Sequence, residues 1–135
     1  MAAVDNIQLI IDTDIVIDFL RRRSEILQKV IDRFTCGITA VTFYELLAVA
    51  VRSPQQEQLL SEFISIVTVL PFDQEAAEAA ANIWRTLQRQ GMSIGLPDTL
   101  IAGICLAQSL PLLTRNQRHY QRVSDLQLLH PSDLQ

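Results

Sequence analysis

Short apolar runs alternate along this chain with stretches whose apolar residues recur every three or four positions. That alternation leaves few folds open. Runs of four to six residues are too short for helices and read as strands buried on both faces. The longer stripes read as amphipathic helices. A chain that alternates the two builds a parallel sheet with helices on both of its faces. Strands are expected over 7–11, 36–40, 67–72, 111–114 and 126–129, and helices over 14–22, 24–34, 42–52, 55–66, 73–90, 97–109 and 117–122. Ser24 is an N-cap candidate for the second helix. Phe43, Leu46, Leu47, Ala50 and Val51 form the stripe of the third, and Pro54 ends it. Gly91 and Gly95 mark a loop. The helix over 97–109 is apolar nearly all round, which predicts burial on more than one side. The expected fold class is α/β: three layers, α/β/α, with a short, mainly parallel central sheet of four to five strands, in one domain over 1–135.

No apolar run reaches the roughly 18 residues of a membrane span. Met1 to Asp5 shows no basic segment ahead of an apolar one, so no signal peptide is read, and a cytosolic protein is expected. Cys36 and Cys105 lack a second Cys or a His at metal-ligand spacing and read as core residues. The net charge of −4 does not advertise binding to a polyanion. The basic residues are ten Arg and one Lys, a bias toward the side chain that grips phosphate bidentately.

Four segments bring an acidic or amide group to a place where an apolar stretch starts, ends or is interrupted. Asp12 closes the first strand, with Thr13 and Asp14 beside it; one of the three suffices to cap the next helix, so three are surplus. Glu45 sits within the third helix, which has little other polar surface. Asp98 stands at a helix start, where negative charge is tolerated and oriented. Thr114 and Asn116 follow the fourth strand; Asn supplies a neutral oxygen or an amide hydrogen but cannot act as a base. Sites on such sheets form beyond the carboxyl ends of the strands. Burying carboxylates costs several kcal/mol unless something compensates them, and few basic groups lie near these positions. A divalent cation would do so, which points to hydrolysis. Asp18 is placed to pair with Arg22 one turn on. Arg115, Arg118 and Arg122, with Arg21, Arg22 and Arg23, read as a solvated charged face or as a cationic rim around the acids, with His119 and Tyr120 at that rim or merely on the surface.

The same residues carry a family likeness. Ile11-Asp12-Thr13-Asp14-Ile15-Val16-Ile17-Asp18, Thr39-x-x-Thr42-x-x-Glu45-Leu46, Leu96-Pro97-Asp98-Thr99-Leu100-Ile101-Ala102 and Leu112-Leu113-Thr114-Arg115-Asn116-x-Arg118-His119-Tyr120 stand in the order and spacing of the PIN-domain ribonucleases. Within these, the chain resembles the toxin half of VapBC toxin–antitoxin systems, from about residue 7 to 134. The resemblance implies a PIN-like fold and Mg²⁺- or Mn²⁺-dependent cleavage of RNA. Asp12, Glu45 and Asp98 match the acidic ligands. Asn116 falls where many members carry a fourth Asp and many of the toxin branch carry Asn. Position 14 is often Asn in the family, so Asp14 departs from it. Thr13, Asp14 and Thr114 become secondary site residues, and Arg115 and Arg118 would steady the RNA backbone. The likeness also implies a homodimer and a small antitoxin whose C-terminal segment enters the active-site groove.

Two other readings use the same residues. Ile11-Asp12-x-Asp14-x-Val16 resembles the opening motif of haloacid-dehalogenase-type phosphatases, but that family uses a downstream Lys, and Lys29 lies early, in a helix away from any strand end. The other is a PIN-like binding module with a degenerate acidic site, for which Asn116 and the low positive charge speak. A receiver-type phosphorylation domain would need adjacent early acids and a late Lys after a strand.

Overall fold

The structure, a computed structural model, describes residues 6–50 and 53–134. Residues 1–5, and the expected end of the third helix at Val51 and Arg52, lie outside the described residues. The elements in chain order are β1 (Leu9–Ile11), α1 (Thr13–Leu20), α2 (Ile26–Arg33), β2 (Cys36–Thr39), α3 (Ala40–Glu45), a π-helix (Leu46–Ala50), α4 (Pro54–Ile66), β3 (Thr68–Leu70), α5 (Gln74–Arg89), α6 (Leu96–Gln108), β4 (Leu112–Leu113), α7 (Gln117–Tyr120), β5 (Leu128–Leu129) and a 3₁₀ turn (Pro131–Leu134). Every expected strand and helix is present, and the strands are shorter than their apolar runs.

All neighbouring strands are parallel, in the order β3-β2-β1-β4-β5. The two-residue side-chain period of a strand divides the core in two. Leu9, Ile11, Ile38 and Leu113 face the layer of α1, α2 and α4, where Leu20, Leu27, Val30, Leu60 and Phe63 complete the packing. Ile10, Leu70 and Leu112 face the opposite layer, with Ala76, Ile83, Leu87, Ile101 and Ile104 of α5 and α6. Both faces are covered, as the unbroken apolar strands require. Among the described residues no helix is long and apolar enough to cross a membrane.

Two features place the site. β1 lies between β2 and β4, and the chain builds β1, β2 and β3 toward one edge before returning to add β4 and β5 at the other. The carboxyl ends of β1 and β4 therefore flank the point where the strand order reverses, the usual position of a site in an open parallel sheet. The second feature is the crossing of α5 and α6. A Cβ on Gly103 would stand 2.7 Å from the Ala76 carbonyl oxygen and 2.7 Å from the Ala80 Cβ, so these small residues let α6 approach α5 closely. α6 is buried through Ile101, Ala102, Gly103, Ile104 and Cys105, as its apolar circumference predicts.

Candidate active site

Asp12 is the N-cap of α1, and its Oδ1 accepts from the Thr13 backbone N–H at 2.9 Å. The structural role and a site role thus fall on one residue. Its Oδ2 accepts from Thr114 Oγ1 at 2.7 Å, across the β1–β4 junction. Thr114 Oγ1 in turn accepts from the Asn116 backbone N–H at 2.9 Å. Asp12 is 6 % exposed. Burial pushes its carboxyl up to about 7, the charge of Asp14 adds to this and that of Asp98 adds less, and the bonds from Thr114 and Thr13 oppose it.

Asp14 lies on the first turn of α1, and its Oδ2 accepts from the Arg115 backbone N–H at 3.1 Å. Its Oδ1 is buried without a hydrogen-bond partner, and burial raises its carboxyl above the ordinary range. Glu45 is the last residue of α3 rather than a mid-helix residue, because the helix continues as a π-turn. The wider i→i+5 turn shifts the phase of the stripe: Leu46 is fully buried, while Leu47, expected on the same face, is 59 % exposed. Glu45 Oε1 accepts from Thr13 Oγ1 at 2.6 Å, and Thr13 Oγ1 stands 2.9 Å from Thr42 Oγ1. Thr42 is held at 3.0 Å through its backbone N–H by Thr39, the N-cap of α3.

Asp98 occupies the first turn of α6, but the N-cap is Gly95, at φ +87°. That left-handed backbone suits glycine and offers no capping side chain, so Asp98 is free of a capping duty. Its Oδ2 lies 2.8 Å from His119 Nδ1 on α7. Asn116 is the N-cap of α7 without a side-chain capping bond; its Nδ2 stands 3.0 Å from the same His119 Nδ1.

The cationic rim is only partly free. The Arg115 guanidinium pairs with Asp18, and Arg122 Nη1 donates to the Ser93 carbonyl at 3.1 Å. The expected Asp18–Arg22 pair does not form: α1 ends at Leu20, and Arg22 takes φ +57°, off the helical spacing. Arg21, Arg22, Arg23 and Arg118 are exposed. Tyr120 is not a rim residue but fully buried; its hydroxyl lies beside Asp98 without a well-formed hydrogen bond. Burial and the charges of Asp12 and Asp98 hold that phenol un-ionised. Cys36 and Cys105 are buried core thiols, both pushed upward chiefly by burial. Lys29 is exposed on α2, away from the strand ends, which removes the support for a phosphatase of the dehalogenase type.

His119 was not singled out by sequence reasoning as a partner of Asp98. Its one signal is its place three residues after Asn116, the spacing that puts two side chains on one side of a helical turn.

The donor set fits a hard divalent cation in kind: it is made of carboxylate and amide oxygens. Among the described residues Asp12 has no basic partner within ion-pair distance, and Asp14 Oδ1 has no partner of any kind. Asp12 is thus compensated by neutral donors alone, and Asp14 Oδ1 by none. As placed, no three Asp, Glu, His or Cys side chains among the described residues stand close enough together to hold a metal ion. Asp14 and Asp98 are near enough for their charges to raise the Asp12 carboxyl, and Glu45 joins them through Thr13, the neighbour of Asp12.

The PIN-domain family model matches residues 9–126. Ribonuclease VapC1 of Methanocaldococcus jannaschii is 28 % identical over 121 residues, covering 90 % of this chain and 85 % of that protein. The tRNA(fMet)-specific endonuclease VapC of Shigella flexneri is 30 % identical over 128 residues, covering 89 % and 95 %. Among solved structures, DNA-bound VapBC from Salmonella typhimurium superposes with a TM-score of 0.84 at 26 % identity, over 93 % of this chain and 98 % of that one. The likeness to VapBC2 from Rickettsia felis, bound to a promoter DNA fragment, concerns the fold alone: TM-score 0.80 at 21 % identity, covering 90 % and 97 %. A match that runs from β1 almost to β5, with relatives alike over nearly their whole length, makes this chain a member of the PIN-domain family, among its VapC ribonucleases.

Proposed function

We propose that this VapC-family chain is an endoribonuclease, the toxin of a type II toxin–antitoxin pair, and that it hydrolyses RNA phosphodiester bonds with Mg²⁺ or Mn²⁺ held by Asp12, Glu45 and Asp98. The observation that supports the metal dependence is Asp12, a buried carboxylate at the β1–β4 junction with no basic side chain within ion-pair distance among the described residues. Asp12, Glu45 and Asp98 would hold the ion, whose chemistry there would be Lewis-acid activation of water and charge neutralisation at phosphate.

The chain's own residues prepare that site. Thr114 orients Asp12 and Thr13 orients Glu45, each by a short hydrogen bond to an acidic oxygen. Asp14, tied to the Arg115 backbone, keeps one buried oxygen free to accept. Asn116 serves as a neutral polar group at the mouth. Arg118, exposed on α7 with no partner among the described residues, meets the RNA backbone. Arg115 contributes less there, because Asp18 already holds its guanidinium. The relatives named VapC and the solved VapBC complexes support an antitoxin partner for this chain, and the family likeness supports a homodimer. They also outweigh the degenerate binding module, which rests on Asn116, the low positive charge and the spread of the acidic side chains as placed.

The test is RNA cleavage by the purified protein with Mg²⁺, with Mn²⁺ and with chelator, beside Asp98→Asn. Cleavage should need the metal and vanish in the variant while its circular dichroism stays native. Cleavage that persists in chelator, or full activity in the variant, ends the metal assignment.

A further inference from the structure

The three carboxylates proposed as ligands are each met by a side-chain donor from another part of the chain, and Asp98 has the buried Tyr120 hydroxyl beside it as well. Thr114 holds Asp12 at 2.7 Å, Thr13 holds Glu45 at 2.6 Å, and His119 Nδ1 lies 2.8 Å from Asp98 Oδ2. The first two donors are hydroxyls, which rotate to suit any acceptor. The third is a ring whose proton sits on one nitrogen or the other, so its bond carries more information.

A carboxylate oxygen 2.8 Å from a ring nitrogen meets it best as an acceptor, so the contact assigns the hydrogen to Nδ1. The amide nitrogen of Asn116, 3.0 Å from the same Nδ1, cannot donate to a nitrogen that already bears a proton. The amide is satisfied in the turned orientation, with its oxygen toward the ring and its NH₂ group away from it. The ring is not free to drift, because the next residue, Tyr120, is fully buried and anchors the four-residue helix that carries both.

We propose that His119 is the positioning residue for Asp98. Its Nδ1–H holds Oδ2 and leaves the other oxygen to a cation, while the same hydrogen fixes the Asn116 amide with its donor side outward. This rests on the reading of the acidic site as a divalent-cation site. It differs from an ordinary surface ion pair, which contributes little to anything measurable, because the pair acts on a ligand. Removing the outer partner of a ligand typically weakens metal binding by about 10- to 100-fold.

The experiment is Mn²⁺ titration by calorimetry of the wild type, His119→Ala, His119→Asn and His119→Gln, with thermal unfolding as the fold control. The ring nitrogens of His119 are also read by ¹⁵N NMR in metal-free wild type and in Asp98→Asn. Ala and Gln should weaken Mn²⁺ binding by about 10- to 100-fold. Asn, whose amide nitrogen stands where imidazole Nδ1 stood, should recover most of the affinity. The NMR should show the Nδ1–H form in the wild type and a weaker bias toward it in Asp98→Asn, whose amide oxygen is a neutral acceptor. Equal affinity in wild type and Ala, no recovery in Asn, or an Nε2–H ring overturns the proposal. A wild type that binds no Mn²⁺ sinks the cation reading by itself, and the ring form then decides the His119–Asp98 pair separately.

Discussion

Replacing Asp12 by Asn should stabilise the metal-free protein at neutral pH, although it removes the carboxylate at the centre of the site. Burial raises the Asp12 carboxyl from 3.8 to about 7. Each tenfold change in proton affinity is worth about 1.4 kcal/mol, so ionising this group costs the folded state about 4 kcal/mol more than the unfolded one. The sign follows from the rise: the contribution is fully present below 3.8 and is lost as pH climbs through about 7. Asn carries no charge and keeps both hydrogen bonds, its oxygen accepting from Thr13 N–H and its NH₂ donating to Thr114 Oγ1, where Asp12 now accepts. In urea unfolding with chelator at pH 7.5, the variant should exceed the wild type by up to about 4 kcal/mol, a large share of the stability of a domain this size. At pH 4 the gap should fall below about 1 kcal/mol. Saturating Mn²⁺ should narrow it at pH 7.5 from the wild-type side alone. A variant no more stable than wild type at pH 7.5, or an advantage unchanged at pH 4, would refute the view that Asp12 is a buried charge compensated by neutral donors alone.

Gly103→Ala forces a Cβ against the backbone and side chain of α5; with the helix-propensity gain of Ala set against the overlap, a net loss of about 1–2 kcal/mol follows. Differential scanning calorimetry should show Tm lower by about 4–8 °C, and an unchanged or higher Tm would mean that the α5–α6 crossing has slack. Arg118→Ala should weaken RNA binding and reduce the slope of log affinity against log salt by about 0.7–1, whereas Arg115→Ala, whose guanidinium is already paired with Asp18, should change the slope less; equal slopes would put both on the phosphates.

Much of this was readable in the residues because the strong signals were local. Leu9 to Ile11 and Cys36 to Thr39 had no polar side to show, and only a doubly covered parallel sheet buries such strands. Asp12 was readable because three potential caps stood where one would do. What stayed hidden depended on tertiary geometry. The π-turn after Glu45 changes the phase of a stripe without changing its composition, so Leu47 was expected inside and lies outside. Gly95 caps α6 through its backbone angle, which no side chain announces. Arg115 found Asp18, 97 residues away, and His119 found Asp98 across two elements; neither pairing follows from spacing. Tyr120 offered a polar tip that reads as surface, yet its ring fills the core.

The hydrogen bond between Thr114 and Asp12 joins residues 102 positions apart, and that separation bears on when the protein becomes dangerous. A ribosome finishes Asp12, Glu45 and Asp98 well before it reaches β4 and α7. A polypeptide interrupted ahead of residue 114 owns all three acids but lacks the strand beside β1, the hydroxyl that aims Asp12 and the ring that meets Asp98. A copy that stops there should therefore cut RNA poorly, because the groups that meet two of its acids are missing.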